Sequence, residues 1–106
     1  MLSYISELSY PVLLSSGMSS YAEIDNALVT LGTKNTICLM QCTSSYPASD
    51  MEIGLNILDE FRERFSSSIA LGYSCHSSKI YAPIAAAVLG ATVIEKHLTF
   101  SMTSSI

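Results

Sequence analysis

The sequence predicts an α/β fold in which parallel strands alternate with helices, and three observations point to it. Four short apolar runs recur along the 106 residues, each ending in polar residues. Their apolar parts are nearly continuous rather than alternating, as in parallel strands covered on both faces. Segments with helical spacing of apolar residues separate the runs and serve as the crossovers of a parallel sheet.

Taken in order, residues Leu2–Leu8 read as the end of a helix, and "PVLLSSG" (Pro11–Gly17) reads as the first strand. "SSYAEIDNALVTLG" (Ser19–Gly32) carries a helix-start signal, with Ser20 three residues before Glu23. It sets Ile24, Leu28 and Leu31 on one face, and Gly32 ends it. "TICLMQCTSSYP" (Thr36–Pro47) is the second strand with its following loop. "SDMEIGLNILDEFRERF" puts Ile57, Leu58, Phe61 and Phe65 inward and Asp59, Glu60, Arg62 and Glu63 outward, with Gly54 and Asn56 weakening its first turn. "SIALGYSCHSS" (Ser68–Ser78) is the third strand. "IYAPIAAAVLG" (Ile80–Gly90), small and apolar, reads as a tightly packed helix in which Pro83 fits the first turn. "ATVIEKHLTF" (Ala91–Phe100) is the fourth strand. The five methionines read as core filler.

Two closures satisfy this order, an open doubly wound sheet or a segment of a (β/α)8 barrel. A barrel takes about 250 residues, so the chain supplies roughly half of one. Such a half exposes two sheet edges and an apolar face. Charged residues make up only 13% of the chain against 49% hydrophobic ones, which suits a surface that lies against more protein.

Composition also excludes some functions. The net charge is −4 and no Lys/Arg cluster occurs, which argues against a nucleic-acid partner. No apolar run reaches the ~18–20 residues of a membrane span. The N-terminal stretch has no basic region and holds Glu7, so it does not read as a signal peptide. Cys38, Cys42 and Cys75 are odd in number and lie in or beside apolar runs, which favours reduced thiols and a cytoplasmic setting.

Functional groups of parallel α/β folds gather at the C-terminal ends of the strands. Here those ends hold Ser15, Ser16 and Gly17; Gln41, Thr43, Ser44, Ser45 and Tyr46; Ser74, Cys75 and His76; and Glu95, Lys96 and His97. His76 and His97 are the two histidines of the chain, in adjacent β/α units. Two imidazoles so placed suit a divalent metal, with water or substrate completing its shell. They also suit core histidines bonded to backbone, the reading composition alone favours, since no His-x-His or carboxylate-rich cluster accompanies them. Glu95 shares a strand face with His97 and Lys96 takes the other, which leaves Glu95 as a third ligand or the partner of a cation. The serine and threonine hydroxyls at the strand tips suit phosphate oxygens, or ordinary turns and caps. Tyr46-Pro47 either turns an aromatic toward the mouth or packs over the end of the barrel. A Cys75–His76 nucleophile pair is disfavoured because neighbours on a strand point opposite ways, and Cys42 reads as a small core residue.

"PVLLSSGM", "QCTSSYP", "GYSCHS" and "AAAVLGATVIEKHLTF" resemble, in order and spacing, successive motifs of the sialic acid synthase (NeuB-type) family. Those motifs are P-V-I-x-S-T-G-M, [HQK]-C-T-S-x-Y-P, G-[YL]-S-[DG]-H and A-x-x-L-G-A-x-V-I-E-[KR]-H-[FI]-T. Gln41 resembles the animal-type form of the second motif. The resemblance implies the C-terminal half of a (β/α)8 TIM barrel. The implied chemistry condenses phosphoenolpyruvate with N-acetylmannosamine or a related amino sugar, giving a nonulosonic acid and phosphate. It further implies Mn2+ or Mg2+ held by His76 and His97, phosphate contacts from Ser15, Ser44 and Ser74, and a sugar contact from Tyr46. The full-length family implies a homodimer.

Several positions depart from the pattern. Cys75 replaces Asp or Gly, Lys79 stands where Gly is usual, and "SMTSSI" follows in place of a segment with a G-x-D-H motif. Lys79 either reaches a phosphate or alters its loop. Residues 1–106 are therefore expected to be a partial barrel domain of about the last four strands. The N-terminal half, with the family's phosphate-binding lysines and catalytic glutamate, and the C-terminal antifreeze-like domain are expected to lie outside it. On that expectation the chain alone is inactive; its alternative is a non-catalytic half-barrel that pairs with itself or with a separate N-terminal half.

Overall fold

The computed structural model describes residues 1–65, 67–101 and 103. Helix α1 (Leu2–Glu7) leads into strand β1 (Val12–Ser15), and helix α2 (Tyr21–Leu31) into β2 (Ile37–Cys42). A single 3-10 turn (Asp50–Glu52) precedes α3 (Ile57–Arg64), followed by β3 (Ala70–Cys75), α4 (Tyr81–Val88) and β4 (Val93–Lys96). The strands form one four-stranded sheet in the order β1-β2-β3-β4, every neighbouring pair parallel. Consecutive strands side by side with a helix between each pair make a half-barrel, which decides between the two closures.

The helix-start signal of α2 is realised in full. Ser20 accepts from the backbone of Glu23, and the Glu23 carboxylate accepts from the backbone N–H of Ser20 at 2.7 Å. These bonds satisfy donors that the first turn leaves without helical partners. Gly32 ends the helix with φ 66. The next segment is shorter than its periodicity suggests. Gly54 takes φ 66, a left-handed conformation that costs glycine little, and it divides the 3-10 turn from α3.

Burial follows strand parity. Leu39 on β2 and Leu71, Tyr73 and Cys75 on β3 pack with Ile24, Leu58, Phe61, Ala82 and Ala86 of the three crossover helices. This is the layer between sheet and helices. Cys38, Met40 and Gly72 have the opposite parity and meet on the inner side, where a side chain at Gly72 would strike Met40 Sδ. The central strands β2 and β3 are buried almost throughout, whereas β1 alternates half-buried and exposed residues and β4 exposes all but Val93.

Two expectations of the core are corrected. Helix α4 buries Ala82 and Ala86 but leaves Tyr81, Ile84 and Val88 exposed, so only one side of it is packed. Among the described residues Met40 is buried, whereas Met1, Met18 and Met51 are exposed; Met102 lies outside the described residues. Small alanines let α4 approach the sheet, and its larger residues fall at the positions facing away.

Candidate functional site

The parallel register carries the C-terminal ends of β2, β3 and β4 to one rim. Cys42 lies opposite Ser74, Ser74 opposite Glu95, and Cys75 opposite Lys96. His76 follows β3 by one residue and His97 follows β4 by one, so both rings stand on that rim. Their centroids are 5.2 Å apart at an interplanar angle of 70°. Tyr46, on the loop after β2, lies against both, 4.3 Å from the His76 ring and 6.0 Å from that of His97.

His76 is partly buried and contacted from three sides. Its Nε2 is 3.3 Å from Ser74 Oγ, 3.4 Å from Tyr46 Oη and 3.4 Å from Cys42 Sγ. Ser74 Oγ also donates to Glu95 Oε1 at 2.7 Å. With its proton so committed, Ser74 offers His76 a lone pair. His76 Nδ1 is buried and has no hydrogen-bond partner among the described residues. Burial lowers the His76 pKa below the ordinary imidazole value, His97 and Lys96 lower it further, and the Glu95 carboxylate opposes them. The imidazole is therefore neutral at pH 7, the form that binds metals. His97 is exposed. An open ring and a ring with an unpartnered nitrogen are not two histidines satisfied by backbone.

Two imidazoles 5.2 Å apart on one rim are the donor type that a divalent metal takes. Among the described residues no group of three or more His, Cys, Asp or Glu side chains is arranged to hold an ion. Glu95 accepts from Ser74 through Oε1.

The backbone around His76 is tied from two directions. The Ala48 N–H donates to the His76 carbonyl at 3.1 Å, joining the loop of Tyr46 to that of His76. The Tyr46–Pro47 peptide bond in that loop is cis. On the outer face of β4, Lys96 Nζ donates to the Ser77 carbonyl at 2.5 Å and lies 3.6 Å from Cys75 Sγ. Burial alone raises the Cys75 thiol, but the Ser77 hydroxyl and backbone and the Lys96 ammonium outweigh it, and its pKa falls. Burial, with help from Cys75, pushes the neighbouring Tyr73 phenol up to about 12.

Of the six site residues named from sequence, Tyr46, Ser74, His76 and His97 come together. Ser44 stands beside the β1 loop, where a side chain on Gly17 would come within 2.5 Å of its Oγ. Ser15 ends β1 opposite Met40; among the described residues no hydrogen bond joins it to the histidine cluster. Lys79 is an ion-pair residue, its Nζ 2.6 Å from Asp50 Oδ2, so its charge goes to bracing two loops. Cys75 keeps away from the imidazoles, and the thiol at His76 is that of Cys42. Reading Cys42 as core filler missed this, although its parity with Ser74 was the available signal.

Compared with known proteins, residues 1–105 match the NeuB family. The chain is 36% identical over 105 residues to the N,N'-diacetyllegionaminic acid synthase of Campylobacter jejuni, covering 95% of this chain and 31% of that protein. It is 35% identical over 94 residues to the N-acetylneuraminate-9-phosphate synthase of Homo sapiens, covering 88% of this chain and 26% of that protein. The fold superposes with a TM-score of 0.87 on the N-acetylneuraminic acid (sialic acid) synthetase of Leptospira borgpetersenii serovar Hardjo-bovis, crystallised with citrate. That likeness has 32% identity and covers 94% of this chain and 35% of the other. The chain thus spans about a quarter to a third of the length of the relatives it matches.

Proposed function

The chain belongs to the NeuB family, and from that premise we propose that it is the metal-binding part of a nonulosonic acid synthase barrel. The complete reaction joins C3 of phosphoenolpyruvate to the aldehyde carbon of N-acetylmannosamine or a related amino sugar. Water enters at C2, and inorganic phosphate leaves. The observation that carries this reading is the pair of imidazoles 5.2 Å apart, flanked by Tyr46 and Ser74 at the strand ends.

Each residue has a role its surroundings suit. His76 and His97 would hold Mn2+ or Mg2+ through ring nitrogens. When bound, the ion supplies Lewis-acid polarisation of the sugar carbonyl. Ser15 and Ser44 offer hydroxyls to the phosphate, whereas Ser74 serves it only once its proton turns away from Glu95. Tyr46, exposed beside both rings, is set to lie against the sugar. Glu95 orients the Ser74 hydroxyl by accepting its hydrogen bond. The chain holds no proposed catalytic acid or base, so activity belongs to a complete barrel.

The test is a condensation assay with phosphoenolpyruvate, N-acetylmannosamine and Mn2+, following phosphate release. The 106 residues alone are expected to yield no product, and a full-length protein carrying them to be active. His97→Ala in that protein is expected to cost more than the roughly 10–100-fold that loss of an outer partner costs a metal site. Activity unchanged by His97→Ala would remove the histidine pair from the reaction, and robust turnover by the 106 residues alone would overturn the inactive-half reading.

A second reading, a half-barrel acting by assembly with a copy of itself or a separate half, is favoured by the two sheet edges left open at β1 and β4.

A further inference from the structure

His76 sits on a turn, and a turn one residue beyond a strand holds a ring in place only if something fixes its backbone. The polypeptide on either side of it is gripped by a single side chain. Lys96 Nζ lies 2.5 Å from the carbonyl of Ser77 and 3.6 Å from the sulfur of Cys75, the residues that flank His76. Cys75 and Ser77 are both buried, and their side chains meet at 3.4 Å. The Ser77 hydroxyl also donates to the Lys79 carbonyl at 3.1 Å, carrying the restraint toward α4.

Strand geometry makes this grip available. Lys96 and His97 are consecutive, so one reaches the outer face of the sheet while the other faces the rim. Cys75 is the register partner of Lys96, which brings a four-carbon stem within reach of the turn that follows. The same β4 segment therefore supplies one imidazole and braces the turn that bears the other. A free lysine would have been a candidate for binding the phosphate of a substrate. Lys96 is instead directed into the backbone behind the site.

We propose that Lys96 is a positioning residue that fixes the His76 ring relative to His97 by clamping the β3–α4 turn through the Ser77 carbonyl. The proposal deepens the metal-site reading above and rests on it only for the metal arm of its test. The clamp acts through the backbone of a ring-bearing residue, so its loss loosens the pair without removing a ligand.

The experiment titrates Mn2+ alone into the intact protein, following loss of the free-ion electron paramagnetic resonance signal, and records the ring 13C and 15N resonances of both histidines without metal. Lys96→Met is expected to weaken Mn2+ binding about tenfold or more and to shift the His76 ring resonances. Lys96→Arg, which keeps a charged donor of similar reach, is expected to restore both. If Lys96→Met does not fold, Lys96→Gln, polar but too short to reach the Ser77 carbonyl, is read in its place with the same expectation. If the wild type binds no Mn2+, the metal-site reading fails, and the His76 resonances alone decide the clamp. Unchanged His76 resonances in a folded Lys96→Met or Lys96→Gln overturn it.

Discussion

His76 shows how one residue's surroundings set its chemistry. Burial is the largest cause of its lowered pKa, and the nearby His97 and Lys96 act in the same direction. In the unfolded chain the ring takes up a proton near pH 6.5, whereas in the native state it does so only at lower pH. Between those two values the unfolded state binds more protons, so native stability falls as pH falls. Below the native pKa both states are protonated and the dependence flattens. The urea midpoint is therefore expected to drop on acidification below about pH 6.5, and His76→Gln to lessen the drop; an equally steep drop in that variant would assign it to other groups. The place of His76 was legible because groups at strand ends converge in a parallel sheet. Its neighbours were less so. Cys42 has the parity of a rim residue, but a small thiol in an apolar run reads equally well as packing. The partner of Lys96 is a backbone carbonyl, which no pattern of side chains reveals.

At the scale of elements, β3 is the strand on which the sheet turns, since both β2 and β4 pair with it. Gly72 stands at its centre on the inner side. A Cβ there would lie 2.2 Å from Met40 Sδ, 3.0 Å from Cys38 Sγ and 3.0 Å from the Val93 carbonyl. Met40 is fully buried and the carbonyl belongs to the neighbouring strand, so neither yields freely. Gly72→Ala is expected to destabilise the fold by about 1–3 kcal/mol, the cost of overpacking, measured as a lower denaturation midpoint. A neutral result would mean that Met40 finds another rotamer. The strands and α2 were legible from apolar runs and the Ser20–Glu23 signal, because their determinants are local. The break between the 3-10 turn and α3 was not, because Gly54 takes a left-handed conformation there, although the turn itself carries a local Ser49–Glu52 capping box. The single packed side of α4 follows from what lies opposite each face, and the sequence of the helix carries no record of that.

Considered whole, the molecule is a sheet with both outer strands paired on one side only. Leu13 on β1 is 56% exposed and Ile94 on β4 is 41% exposed, and the open side of α4 adds Tyr81, Ile84 and Val88. Open parallel edges beside apolar surface favour association. The 106 residues in isolation are expected to sediment above the monomer mass and to bind an apolar dye. A clean monomer without dye binding would count against the assembly reading while leaving the synthase reading intact. Among the described residues no helix is long and apolar enough to cross a membrane.

The bond from the Ala48 N–H to the His76 carbonyl has a consequence for motion. It makes the segment bearing the aromatic ring and the segment bearing the imidazole one cooperative unit, further linked where Lys79 meets Asp50. An opening that frees Tyr46 must also release the backbone of His76. Any opening of the rim is therefore expected to move the two segments together, and a molecule that holds one to hold the other.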